Sequence, residues 1–401
     1  MVALVLLVAV ALLAVAIVGG VTLARAAPNP TGPTGITFYS GLGAYDAATG
    51  YDLWLLVYGS TWTYAHGVWS NITSTAGIPT DMTNNVRLVY DAHDGYVLLY
   101  GGSYTYTGSF GITYDRPLSN TWAFERGRWT NLTSTVRGAP PPRILGLMAY
   151  DSEDQAVVLF GGSRINASSL TGAASINETW TYAGGVWTNA TVSGPPPLSG
   201  SFGAIPFFGF VDDPADGYLL YYNALAHPRA IPGSATWTYR GGVWTNRTET
   251  FGPAPDLFAY GGFAYDSTSQ TVIVVGTCVS TAGFTCEHHD GGTFQFSGGT
   301  WKDVTPGTSP PARETDGFLD DPPDGGIVMA GGCCWVDPSG LFVGWQDVWV
   351  YSHGEWTESD PWGGAAPSWI QNDGSLAAMA LGLVAAVSIG TALTKRPPSS
   401  P

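Results

Sequence analysis

Apolar residues in this chain fall in short runs bounded by Gly, Asp, Asn or Pro rather than at helical spacing, the pattern of strands joined by tight turns. The fullest example lies between Ala149 and Thr191, reading AYDSEDQAVVLFGG, then a loop, then NETWTYAGGVWTNAT. It predicts a strand ending at Tyr150-Asp151, a turn, a strand Ala156–Phe160 closed by Gly161-Gly162, a variable loop, and two strands around Trp180 and Trp187 joined by Gly-Gly. That is one antiparallel sheet of four strands. The Thr-Trp-Thr-Tyr phrases at Thr61–Tyr64, Thr179–Tyr182 and Thr236–Tyr239 alternate with period two, so Trp and Tyr share one face and the threonines the other.

The same phrase recurs with Tyr-Asp or its equivalent at Tyr45-Asp46, Tyr90-Asp91, Tyr150-Asp151, Val211-Asp212, Tyr265-Asp266 and Leu319-Asp320. Its last Trp recurs at Trp69, Trp129, Trp187, Trp244, Trp301 and Trp356, 55 to 60 residues apart. A period near fifty marks a propeller array. Six units follow, at about Thr37–Thr73, Val86–Thr133, Ile144–Thr191, Phe202–Thr248, Leu257–Thr305 and Thr315–Thr357. An apolar strand, Gly-Gly as in Leu99-Tyr100-Gly101-Gly102, then Thr-Trp-x-Tyr or Phe, then Trp, resembles kelch repeats. The resemblance implies an all-β, six-bladed kelch-type β-propeller with four antiparallel strands per blade, and says little of function, because propellers host enzymes and passive binders alike. Each blade begins with its innermost strand, so ring closure is expected to rest on packing of the sixth blade against the first.

Both ends of the chain are apolar and read as helices flanking the propeller. Residues 1–24 are uncharged and precede Ala24-Arg25-Ala26, so residues 1–27 read either as a cleaved signal peptide or as a retained anchor. A linker at 28–36 leads into the propeller at 37–362, and a second linker covers 363–374. Leu376 to Leu393 is uncharged and followed by Lys395-Arg396, which predicts a transmembrane helix over 375–394 and a cytoplasmic tail at 395–401. The propeller is then expected outside, tethered to the membrane by its C-terminus. Six Asn-x-Ser/Thr sequons, at Asn71, Asn131, Asn166, Asn177, Asn189 and Asn246, are candidate glycosylation sites for an exported domain. Asn71, Asn131 and Asn189 follow a repeat's final Trp by two residues, so they also fit strand sequence that matches a short pattern.

Charge narrows the partners. The net charge is −16, with two lysines and thirteen scattered arginines, which excludes a nucleic-acid partner needing a clustered basic surface. The recurrent Asp-rich turns, such as Asp91 to Gly95 and Asp320 to Gly325, imitate calcium loops but lack the ligand register that ends in Glu; they read as hairpin turns.

Connectors between second and third strands vary in length and, with the proline-rich links between blades, are expected on one face of the disc, where recognition is placed. Aromatic residues there, Tyr104, Tyr106, Trp335 and Trp345, are candidate contacts for a protein or carbohydrate ligand, with loop packing as the other reading. By the kelch resemblance, Arg143 and Arg313 lie near the mouth of the central channel as ligand-binding cations, or else satisfy neighbouring carbonyls. In an exported domain the four cysteines are expected as disulfides: Cys278 with Cys286 as first choice, Cys333 with Cys334 or pairing across blades remaining open. His227, His288 and His289 are weak metal candidates, because no second fixed pair completes a tetrahedron. No cofactor is called for. A galactose-oxidase-like copper enzyme is the catalytic alternative that a kelch-type propeller implies, and a structural cell-envelope protein the other; the reading adopted is a non-catalytic, membrane-tethered binding module.

Overall fold

The computed structural model describes residues 41–359 except 57–59, 78, 80–83, 108–112, 166–172, 193, 195–206, 225–234, 253, 256–260, 277–279, 283–284, 289–291, 312–316 and 337–341. Six antiparallel sheets follow one another, each with four main strands running outward in chain order. Blade one is β1 (Gly41–Asp46), β2 (Tyr51–Leu56), β3 (Thr61–Ala65) and β4 (Val68–Asn71), followed by a single helical turn, α1 (Thr73–Ala76). Blade two is β5 (Asn84–Asp91), β6 (Tyr96–Thr107), β8 (Thr121–Glu125) and β9 (Arg128–Asn131), with β7 (Thr113–Pro117) pairing back onto the overhanging end of β6. Blade three is β10 (Leu147–Asp151), β11 (Ala156–Phe160), β14 (Thr179–Ala183) and β15 (Val186–Asn189), with a separate hairpin of β12 (Ser163–Ile165) and β13 (Ala173–Ser175) between its second and third strands. Blade four is β16 (Phe207–Asp213), β17 (Tyr218–Ala224), β18 (Ala235–Arg240) and β19 (Val243–Asn246). Blade five is β20 (Gly262–Asp266), β21 (Thr271–Val275), β24 (Thr293–Ser297) and β25 (Thr300–Asp303), again with an inserted hairpin, β22 (Ser280–Ala282) and β23 (Thr285–His288). Blade six is β26 (Phe318–Asp321), β27 (Gly326–Val336), β28 (Phe342–Ser352) and β29 (Glu355–Ser359). This is the six-bladed propeller that the repeat predicts.

The second strand of each blade is buried on both sides, and its alternation feeds two different seams. In β2, Leu53 and Leu55 pack toward blade two while Trp54 and Leu56 pack toward blade six. Likewise Val97 and Leu99 of β6 face blade one, and Leu98 and Tyr100 face blade three. Each later blade contributes the aromatic of its third strand and the Trp of its fourth, as with Tyr182 and Trp187 against blade two, their rings 4.9 Å apart and tilted. Six apolar clusters of this kind close the circle. The last joins Leu319, Val328, Ala330 and Val348 of blade six to Trp54, Tyr64 and Trp69 of blade one, so closure rests on side-chain packing, with no strand borrowed between blades among the described residues.

Glycine is needed where the inner strands crowd. A Cβ on Gly262 of β20 would lie 2.2 Å from the Phe318 ring of the next blade, and one on Gly209 of β16 would lie 2.3 Å from Phe263. The inner radius of the ring is therefore set by Gly facing an aromatic across the seam.

Polar groups repeat as regularly. After the fourth strand, the Asn71, Asn131, Asn189 and Asn246 carboxamide oxygens accept the N–H of Thr73, Thr133, Thr191 and Thr248, and Asp303 does the same for Thr305. Each of these threonine hydroxyls then receives the N–H of the residue opening the third strand and donates to its carbonyl, as Thr73 does with Thr61. That opening threonine serves the next seam in four places: Trp129 Nε1 donates to Thr61 Oγ1 at 2.9 Å, Trp187 to Thr121, Trp244 to Thr179 and Trp356 to Thr293, while Thr236 Oγ1 and Trp301 Nε1 of blades four and five have no hydrogen-bond partner among the described residues. At the closing seam the corresponding position is Val348, and Trp69 Nε1 has no hydrogen-bond partner among the described residues.

No described helix is long and apolar enough to cross a membrane. The two apolar segments, residues 1–24 and 376–393, lie outside the described residues.

Candidate functional site: the hairpin face and the turn face

The disc has two unlike faces. On one, first strands turn into second strands around buried aspartates: Asp46, Asp91, Asp151, Asp213, Asp266 and Asp321 are all nearly inaccessible. Their Oδ1 atoms accept backbone N–H groups of the turn, as Asp91 does from His93 and Asp94, and Asp151 from Glu153 and Asp154. They close hairpins, as the sequence implies. The register corrects two assignments: Asp213 and Asp321 hold the turns of blades four and six, while Asp212 and Asp320 occupy the position that is Tyr45, Tyr90, Tyr150 or Tyr265 elsewhere. Two adjacent aspartates make that one-residue shift invisible in the sequence.

Carboxylates on this face crowd one another. Asp52 is completely buried, neither of its oxygens has a hydrogen-bond partner among the described residues, and burial, with Asp321, Asp324 and Asp320 of blade six nearby, pushes its pKa up to about 9. Burial also lifts Asp91, Asp212, Asp320 and Asp321 to about 6, and Asp213 to about 7. Across the seams, Asp94 accepts the Gly184 N–H at 3.0 Å, Asp216 accepts the Gly298 N–H at 2.9 Å, and His66 Nδ1 is bonded to Asp324 Oδ1 at 2.9 Å. His66, His93 and His353 all belong to turns on this face, as the sequence places them. Among the described residues no three His, Cys, Asp or Glu side chains are grouped to hold a metal ion.

The other face carries β-hairpins where the sequence suggests loops. They rise from blade two (β6–β7), blade three (β12–β13), blade five (β22–β23) and blade six (the far ends of β27 and β28), while blade one passes from β2 to β3 almost directly. Tyr104 and Tyr106 stand at alternate positions of β6, opposite Arg116 and Tyr114, and Tyr104 is exposed. Trp335 pairs with Val343 and Trp345 with Gly332 in the blade-six hairpin. Cys333 and Cys334 lie between those pairs, where the register is irregular. Cys286 pairs with Thr281 and His288 with Ser280 in β22–β23. Cys278, His227, His289 and Arg313 lie outside the described residues, as does Asn166. Asn71, Asn131, Asn177, Asn189 and Asn246 are exposed, and four of these five are the turn-forming residues described above.

Arg143 holds a defined place on this face. It is 1% exposed; Nη1 donates to Gly161 O at 3.0 Å, Nε to Pro141 O at 3.2 Å, and Nη2 to Glu178 Oε2 at 2.7 Å. Its own N–H donates to Leu118 O of blade two. The guanidinium thus satisfies neighbouring carbonyls, one of the two roles its position suggests. Arg164 of β12 reaches Glu178 Oε1 at 2.8 Å, and Trp180 Nε1 donates to Oε2 at 3.0 Å. Partial burial would raise the Glu178 pKa, but the donors Trp180 and Arg143 and the two arginine charges outweigh it and hold the carboxyl below its ordinary range. The sequence singles out Arg143 but not its partners, since Glu178 and Arg164 carry no motif.

No family model and no curated protein matches the chain. Solved structures similar to it include AofleA from Arthrobotrys oligospora, at 12% identity and a TM-score of 0.36 over 80% of this chain and 86% of that one. A putative oxidoreductase (glucose dehydrogenase) from Thermus thermophilus is similar at 12% identity and a TM-score of 0.37, over 79% of this chain and 91% of that one. A glycosyl hydrolase from Bacteroides ovatus is similar at 12% identity and a TM-score of 0.28, over 52% and 66%.

Proposed function

We propose that this chain is an exported, membrane-tethered binding module that recognises a surface protein or glycan through its hairpin face, without catalysis. The observation that carries the reading is the contrast between faces. Seams, turns and clasps repeat from blade to blade, whereas the described hairpins of blades two, three, five and six differ from one another and stand on one side only. A rigid ring that varies only at one rim is built to present those hairpins. Tethering by the C-terminal apolar segment, with Lys395-Arg396 inside, leaves the ring outside the membrane. The test is binding of the detergent-solubilised full chain to a panel of glycans and surface proteins, with protease protection of membrane vesicles reporting the topology. Saturable binding lost on Tyr104→Ala with Trp335→Ala is the expected result; binding indifferent to every hairpin substitution would sink the reading.

A further inference from the structure

Three arginines gather at one place on this disc. Among the described residues, Arg116, Arg143 and Arg164 all lie on the hairpin side of blades two and three, against a turn face crowded with carboxylates. Against them stand Glu178 and, next to Arg116 on β7, Asp115, so in a chain of net charge −16 this surface carries an excess of one positive charge. Glu178 takes an ion pair from both Arg143 and Arg164, at 2.7 and 2.8 Å, so one carboxylate balances two guanidinium groups. Arg164 remains 47% exposed despite its pair, and Arg116, on β7 beside β12, is exposed as well. Two apolar side chains flank these cations in water. Tyr104, paired with Arg116 across the hairpin, is 43% exposed; Leu145, two residues beyond Arg143, is 45% exposed with φ of 56°. A leucine held in the left-handed region with its side chain in solvent is costly, and such residues cluster at ligand sites.

We propose that this surface over the seam of blades two and three binds an acidic polysaccharide, a chain of uronic-acid units; the proposal rests on the binding-module reading above and names its ligand class. Guanidinium groups recognise carboxylates through paired N–H donors. An exposed tyrosine ring beside them offers a flat face for the C–H side of a pyranose, as aromatic rings do for apolar surfaces generally. A uronic acid presents both features in every unit. Arg143, buried and bonded to both blades, fixes the positions of Glu178 and of the connector that carries Leu145, so it is a positioning residue and not a contact.

The experiment measures binding of the detergent-solubilised full chain to polygalacturonate, neutral dextran and polyglutamate. Polygalacturonate is expected to bind, weakening as salt rises, and dextran is expected not to. Arg116→Ala and Tyr104→Ala, both at exposed positions, are each expected to weaken binding at least fivefold with the melting temperature unchanged. Absence of polygalacturonate binding, equal binding of dextran, equal or tighter binding of polyglutamate, or indifference to both substitutions would overturn the proposal. If another glycan or a surface protein binds through hairpin residues while polygalacturonate does not, this ligand assignment fails and the binding-module reading stands. If nothing on either panel binds, both fail.

Discussion

Replacing Asp52 with Asn should make the protein more stable near neutral pH and leave it unchanged in acid. Asp52 sits on β2 at the closing seam, facing Asp320, Asp321 and Asp324 of blade six, with Tyr45 and Tyr64 opposite it on β1 and β3 and His66 bonded to Asp324. No described arginine or lysine is paired with it. Burial keeps its carboxyl protonated to about pH 9, whereas in the unfolded chain it ionises near its ordinary value. Folding above about pH 4 therefore takes up a proton, and the stability contributed by this group, complete below that pH, is lost as pH rises toward 9. At about 1.4 kcal/mol per pH unit, the loss between pH 4 and pH 7 is about 4 kcal/mol. The carboxamide that replaces the carboxyl cannot ionise and escapes this loss. Urea unfolding of the full chain and of Asp52→Asn at pH 4, 5.5 and 7 should give coinciding curves at pH 4 and a gap that widens to about 4 kcal/mol at pH 7 in favour of the variant. Curves that stay parallel, or a wild type that gains stability between pH 4 and pH 7 relative to the variant, would refute the reasoning.

Four further substitutions address the ring itself. Val348→Thr supplies the hydroxyl that Trp69 Nε1 lacks at the closing seam and should stabilise the fold by about 1 kcal/mol in thermal unfolding. Gly262→Ala places a Cβ 2.2 Å from the Phe318 ring and should cost about 1–3 kcal/mol, while Gly307→Ala, with open space around it, should change stability by less than about 0.5 kcal/mol. Asp303→Asn gives blade five the residue that performs the same turn in four other blades, and should leave the melting temperature within about 2 °C of wild type.

The ring was legible because its physics repeats. Trp, Gly-Gly and Asp recur at fixed offsets, each bound to one job: Trp129 or Trp187 fills a seam, Gly262 lets an inner strand approach Phe318, Asp91 closes a hairpin. What stayed hidden depends on contacts between distant residues. The run Tyr51 to Val57 reads as a core strand, and nothing local shows that Asp52 within it will be sealed against three carboxylates from the far end of the chain. The sequons of Asn71 and Asn189 read as modification signals because nothing local shows that their threonines, Thr73 and Thr191, clasp a threonine twelve residues upstream of them. Loops such as Ser163 to Asn177 lack the apolar alternation of a strand, yet β12 and β13 pair as a free-standing hairpin. The candidate surface was legible as a face, from strand direction and loop length. The partnership of Arg143, Glu178 and Arg164 was not, since residues 14 to 35 positions apart meet only when the connector into blade three and its inserted hairpin fold back over the start of its third strand.

The most direct test of the account compares two multiple variants of the full chain for binding to the glycan and surface-protein panel. One carries Tyr104→Ala, Tyr106→Ala and Trp335→Ala on the hairpin face; the other carries His66→Ala, Glu153→Ala and Arg240→Ala on the turn face. The account predicts that the first loses binding and the second keeps it, with both melting as folded proteins. Binding kept by the first and lost by the second would place recognition on the opposite face and contradict it.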